Sequence, residues 1–270
     1  MLSSRSLRRA LAVTAAVALS AVAASEAGAA PDRGDARTFY ATTNTNLLLQ
    51  FDERRPDRLI DAQSILGLPA GVTLTGIDFR PKTGDLYGVG SDSVVYRVNP
   101  YTGIAIAEAP AFTPVLRGTK FGVDFNPTVD KIRVVSDQRQ NLRLNVDEGT
   151  VLSADADLNP GMPNIVGAAY TNSSFSFTPP TATTLYVVDS VTDQVFVQNP
   201  PNNGTLTNPQ QLGVDVGADA GFDIAGADNT GYLTTRSRLY RVDPATGRTR
   251  LVGRIGNGRR TITGLAAWQD

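Results

Sequence analysis

The chain reads as an all-β protein: a five-bladed β-propeller whose ring is closed by a composite blade drawn from both termini. Three observations predict this. A short pattern (Gly, apolar, small or acidic, apolar) recurs five times, at Gly76-Ile77-Asp78-Phe79, Gly122-Val123-Asp124-Phe125, Gly167-Ala168-Ala169-Tyr170, Gly221-Phe222-Asp223-Ile224 and Gly264-Leu265-Ala266-Ala267. The glycines are spaced by 46, 45, 54 and 43 residues, a period that holds several short strands and marks propeller blades. A turn with an Asx or Pro start and a Gly end follows in four copies, and the two ends of the chain carry complementary parts of the fifth.

The first full copy defines the unit. Thr75–Phe79 is a strand, with Gly76 and Asp78 on one face and Ile77 and Phe79 on the other. Residues 80–85 hold Pro81 and Gly84 and reverse the chain. Leu86–Val89, Val94–Val98 and Ile104–Ala107 are the remaining strands, with Asn99-Pro100-Tyr101-Thr102-Gly103 as the last turn. Ile132–Val135, Leu185–Val188 and Tyr232–Thr235 fill the second-strand slot elsewhere, and Leu142–Val146, Gln194–Gln198 and Leu239–Val242 the third. After Gly256 only one strand fits, Thr263–Trp268; Phe39–Thr42, Leu47–Phe51 and Arg58–Ala62 supply the other three. Closure removes the two open edges an incomplete ring would expose. A twisted β-sandwich of many short strands is the alternative fold, because strand spacing fits both.

Residues 1–29 read as a secretory signal peptide, with Arg5, Arg8 and Arg9, an apolar Ala10–Ala24 and a small-residue site at Ala27-Gly28-Ala29. Residues 30–270 form the single propeller domain, expected outside the cytoplasm, extracellular or periplasmic. Arg8-Arg9 raises a twin-arginine route, which Leu7 and Ala12 fit poorly. Without residues 1–29 the formal charge moves from −1 to −3, because three arginines and Glu26 are lost. That balance argues against recruitment of nucleic acid or anionic lipid. No later segment is apolar enough to span a bilayer.

The composition excludes whole classes of chemistry. The chain has no His and no Cys, so it cannot build a Ser–His–Asp triad, a His- or thiolate-held transition metal, or a thiol nucleophile. No GxGxxG loop opens a helix. Carboxylate, hydroxyl, amide and guanidinium chemistry remains. Asp78, Asp124 and Asp223 occupy one place in three inner strands. Three roles fit them: ties that fix blade register by accepting backbone N–H groups, ligands for a hard cation such as Ca²⁺, or an acid–base pair. Two copies hold Ala169 and Ala266 instead. Asp155-Ala156-Asp157-Leu158-Asn159 opens like a calcium loop, but Pro160 and Val166 stand where Gly and Glu are needed, so it reads as a polar connection between blades. Inter-blade connections and turns after second strands share one rim, where a protein or small-molecule ligand is expected to dock.

Phe121-Gly122-Val123-Asp124-Phe125-Asn126-Pro127, Asp130–Ser136, Gln140-Asn141-Leu142-Arg143, Thr183–Tyr186 and Gln198–Leu206 resemble the bacterial family known as domain of unknown function 4394. The likeness runs from about Thr38 to Trp268. It implies an exported protein and brings no reaction and no site residues. The functional expectation is therefore a secreted binding or interaction module, with a cation-dependent hydrolase or lyase using the axial aspartates, or a structural spacer, as alternatives.

Overall fold

The structure, a computed structural model, describes residues 36–268; the expected signal peptide lies outside them. Twenty strands form five four-stranded antiparallel sheets. In chain order, β1 (Thr38–Thr43), β2 (Leu47–Asp52) and β3 (Leu59–Ser64) come first. Blade one is β4 (Leu74–Phe79), β5 (Leu86–Gly90), β6 (Val95–Val98) and β7 (Ala105–Ala107). Blade two is β8 (Phe121–Asn126), β9 (Lys131–Ser136), β10 (Asn141–Asn145) and β11 (Thr150–Ala154). Blade three is β12 (Ile165–Tyr170), β13 (Leu185–Asp189), β14 (Gln194–Gln198) and β15 (Leu206–Gln211). Blade four is β16 (Ala220–Ala225), β17 (Thr230–Thr235), β18 (Arg238–Val242) and β19 (Thr249–Arg254). The closing strand β20 (Ile262–Ala267) pairs with β1, giving the fifth sheet the order β20-β1-β2-β3. The fold is thus a five-bladed propeller with a composite blade, and the expected strands match to within one or two residues at their ends.

The apolar residues separate into five clusters, one per blade interface, with no single central core. Ile77 and Phe79 pack on Tyr40, Leu48 and Ala266 between blades five and one. Val123 and Phe125 meet Tyr87, Val89 and Val95 between one and two. Tyr170 meets Val135, Phe222 meets Val166 and Ala169, and Leu265 meets Ala225 and Tyr232. Burial of these faces is the main driving force for the ring.

Two sets of glycines let the blades approach. At Gly122 a methyl group would sit 2.4 Å from the Ala168 amide nitrogen, and at Gly221 one would sit 2.7 Å from that of Leu265. The motif glycine therefore stands where adjacent inner strands nearly touch. The glycine ending each third turn has a left-handed backbone and meets the preceding blade: Gly103 faces the Ser64 carbonyl and Gly204 those of Ala156 and Asp157. Gly122→Ala is expected to lower stability by about 1–3 kcal/mol, the range for overpacking a dense interior; a denaturant midpoint unchanged from wild type would remove this account of the motif.

The irregular spacing of 54 also has a cause. Residues 171–184 join β12 to β13 with fourteen residues, where the equivalent connections in blades one, two and four use four to six. This loop crosses the axis on the face opposite the inter-blade connections. Asn172 exchanges hydrogen bonds with Asn229, and the Ser176 amide donates to the Pro81 carbonyl of blade one.

Candidate functional site

The inner strands reproduce the edge problem of any open sheet: each presents one N–H at the fourth position of the glycine pattern with no strand beyond it. The aspartates supply the acceptors. Asp78 accepts from its own neighbour Phe79 at 2.7 Å and from Phe125 of blade two at 2.7 Å. Asp124 accepts from Tyr170 of blade three at 3.0 Å. Asp223 accepts from Ile224 at 2.6 Å and from Ala267 of the closing strand at 2.6 Å. Three carboxylates thus serve all five blades. Where the preceding blade carries Ala169 or Ala266, the local aspartate covers its own blade's N–H as well as the next one.

Six carboxylate oxygens meet five amides, so one oxygen of Asp124 is left over. Asp124 sits beside Asp78 and Asp223, with one oxygen of each carboxyl within 4.8 Å of the others. Buried carboxyls this close together retain a proton among them, because like charges cannot all ionise there. The proton belongs to the coupled group rather than to one residue. Burial, then the charges of Asp78 and Asp223, hold the Asp124 carboxyl well above its ordinary range. Burial and the Asp223 charge raise Asp78 in the same way, and its amide bonds only partly offset them. Asp223 is pushed by burial to about 6, tempered by its two amides and by Asp124 beside it. All three side chains offer oxygens within 4.8 Å of one another, and each residue is at most 2% exposed.

Above this layer the axis is nearly filled by the glycine ring and the side chains beside it. It then widens into a funnel of about 140 Å³ on the face of the inter-blade connections. Thr73, Thr75, Thr119, Thr263 and Asn44 give its wall a polar, hydroxyl-rich lining. Lys120 of blade two and Asp219 of blade four pair across its mouth at 2.5 Å. The funnel is blind, because the glycine ring, the carboxylate layer and the crossing loop lie beneath it. The expected rim loops are brought together around it: Arg117 donates its amide to Gln140, Asn164 to Asp189, and Arg236 lies 3.5 Å from Asp215.

Sequence reasoning missed two arginine networks. Arg80 forks onto Asp130 at 2.5 and 2.7 Å and also grips Asp147, tying the turns of blades one and two. Arg133 is 2% exposed and reaches Asn141, Asp155, Asn202 and the Tyr170 hydroxyl. Burial pushes the Asp155 carboxyl up, but bonds from Arg143, Ser153 and Arg133 outweigh it and hold the group below its usual range. Asp155 is therefore an ion-pair partner within the polar connection between blades. The signal for this network lay in the segments that carry the family resemblance, whose Arg133, Asn141, Arg143, Gln198 and Asn202 converge here.

The family model "Domain of unknown function (DUF4394)" matches residues 47–266. No curated protein matches. A structural genomics protein of unknown function from Bacteroides thetaiotaomicron is similar over 81% of this chain at 14% identity and a TM-score of 0.49. The chain spans 58% of that protein's length. Myxococcus xanthus glutaminyl cyclase aligns with 72% of this chain and 69% of its own at 9% identity and a TM-score of 0.40.

Proposed function

Because the chain belongs to the DUF4394 family, whose description names no reaction, we propose from the geometry that it is a binding module. Its ligand is a small polar group held in the blind axial funnel. The carrying observation is the funnel itself: a closed-bottomed, hydroxyl-lined recess bordered by loops from several blades, the usual location of ligand sites on such scaffolds. We further propose that it acts outside the cytoplasm, in keeping with the expected leader. The hydrolase or lyase alternative would require substrate to reach carboxylates sealed beneath the glycine ring.

The test is a thermal-shift screen of small polyols, sugars and sugar acids on the wild type and on Thr73→Trp, which fills the mouth. A ligand at a hundredfold excess over its Kd adds about 2.7 kcal/mol, a rise of roughly 5–10 °C for a domain of this size. A shift confined to the wild type supports the funnel. Equal shifts in both proteins, or none in either, remove it.

One observation favours a second reading for the axis: three clustered carboxylates receive no hydrogen bond from a cationic side chain among the described residues. A Ca²⁺ ion at Asp78, Asp124 and Asp223 would then replace the shared proton, using the remaining lone pairs of these oxygens. Metal analysis and midpoints with EDTA or Ca²⁺ decide it. Bound metal with a Ca²⁺-reversed loss of stability establishes the cation; a metal-free protein indifferent to both leaves the proton.

A further inference from the structure

The net charge of the chain conceals a local imbalance. Residues 236–260 carry eight arginines and one acidic residue, Asp243, while the other 245 residues carry 17 basic and 25 acidic ones. Five of these arginines gather at the funnel face of blade four. Arg238 on β18 lies directly opposite Arg254 on β19. The Arg254 side chain folds over Gly258, where a methyl group would fall 2.1 Å from its Cδ. Backbone bonds from Ile255 to Ser237 and from Ile262 to Arg236 hold Arg236, Arg259 and Arg260 beside this pair. Among the described residues only Arg236 of the five has an acidic partner, Asp215 at 3.5 Å, with both side chains largely exposed.

Like charges directly opposite across a strand pair destabilise it. A surface that keeps such a pair with no internal counter-charge presents positive charge to an incoming anion. The residue type narrows that anion. All eight cations are arginines, whose planar forks match two-oxygen acceptors. The five clustered arginines have no exposed aromatic among them on which a nucleic-acid base would stack, and no α-helix among the described residues is available to enter a groove. The cluster is also continuous with the funnel: Asn44 donates its amide to the Thr261 carbonyl, and Asn44 and Thr263 line the funnel wall.

We propose that this surface docks an acidic, carboxylate-bearing polysaccharide, with its acidic groups on the Arg238–Arg254 cluster and one hydroxyl-rich unit in the funnel. The inference rests on the funnel reading for the second contact only.

The experiment measures binding of polygalacturonate chains to the protein, with dextran, inorganic polyphosphate and single-stranded DNA as competitors. Polygalacturonate is expected to bind, to weaken as salt rises, and to be displaced at least tenfold less effectively by the other three. Arg238→Ala/Arg254→Ala, both exposed and so expected to fold as wild type, should weaken binding tenfold or more. Absence of binding, equal binding by the alanine pair, or equal competition by DNA or polyphosphate overturns the proposal. Thr73→Trp separates the two contacts. If it leaves polygalacturonate affinity unchanged while the alanine pair lowers it, the arginine surface stands and the funnel reading falls.

Discussion

Asp78→Asn and Asp223→Asn are each expected to destabilise the protein by about 2–3 kcal/mol, whereas Asp124→Asn should leave stability at or above the wild-type value. The asymmetry follows from counting acceptors. Both oxygens of Asp78 and both of Asp223 accept backbone amides. An amide side chain offers only one acceptor, so one N–H would face an NH₂ group and stay unsatisfied, at the cost of a buried orphan. Asp124 accepts one amide, so its second oxygen has no amide to satisfy. The side-chain amide in Asp124→Asn would keep that acceptor and put a neutral group in place of an ionisable one at a crowded site. In midpoint terms the first two variants should fall by roughly 5–10 °C.

The pH dependence gives an independent check. Each axial carboxyl has a folded pKa above its ordinary value, with Asp223 at about 6. The folded state therefore holds protons more tightly than the unfolded chain. Their contribution is fully present below the unfolded pKa near 3.8 and is lost as pH rises through the folded value. The paired carboxylates Asp130, Asp155 and Glu53 are held low and act with the opposite sign. Comparing variant with wild type cancels those pairs. The stability of Asp124→Asn relative to wild type should thus grow as pH rises above the unfolded value near 3.8. A flat difference, or one that shrinks, would be incompatible with an Asp124 carboxyl held above its ordinary range. Equal losses in all three variants would overturn the acceptor count.

Removal of residues 263–270 is expected to abolish the stable fold. The truncation takes nearly all of β20, the inner strand of the composite blade. It strips β1 of one of its two partners and exposes an edge along Phe39–Thr42. It also removes Leu265 and Ala267 from one interface and Ala266 and Trp268 from the next. Trp268 stacks edge-on against Phe79 at 4.9 Å, and the Ala267 amide that Asp223 accepts disappears. Two of five blade interfaces are damaged together. A soluble truncated protein with a wild-type denaturant midpoint would refute closure through β20.

What the sequence revealed depended on repetition. The glycine pattern, the third-turn glycines and the interface residues Ile77, Val123 and Phe222 recur because each blade solves one packing problem. The common place of Asp78, Asp124 and Asp223 was visible for the same reason. Their convergence was also expected from strand parity, but not the way three side chains cover five amides, which depends on the two alanine blades. Features confined to one blade were hidden. The spacing of 54 showed that blade three was longer, but not that residues 171–184 cross the axis. Arg133 sits between Ile132 and Val134 on its strand, and its partners come from two blades. The arginine surface was averaged away in a near-neutral total.

The pairing of β1 with β20 also sets a clock. Residue 38 and its partner strand, which begins at residue 262, are separated by more than two hundred residues. At roughly 5–20 residues per second of synthesis, about 10–45 s pass between the appearance of β1 and that of its mate. Throughout that interval the nascent chain holds an unsealed sheet margin and cannot lock its ring. A polypeptide made this way cannot complete its fifth sheet until it is almost finished.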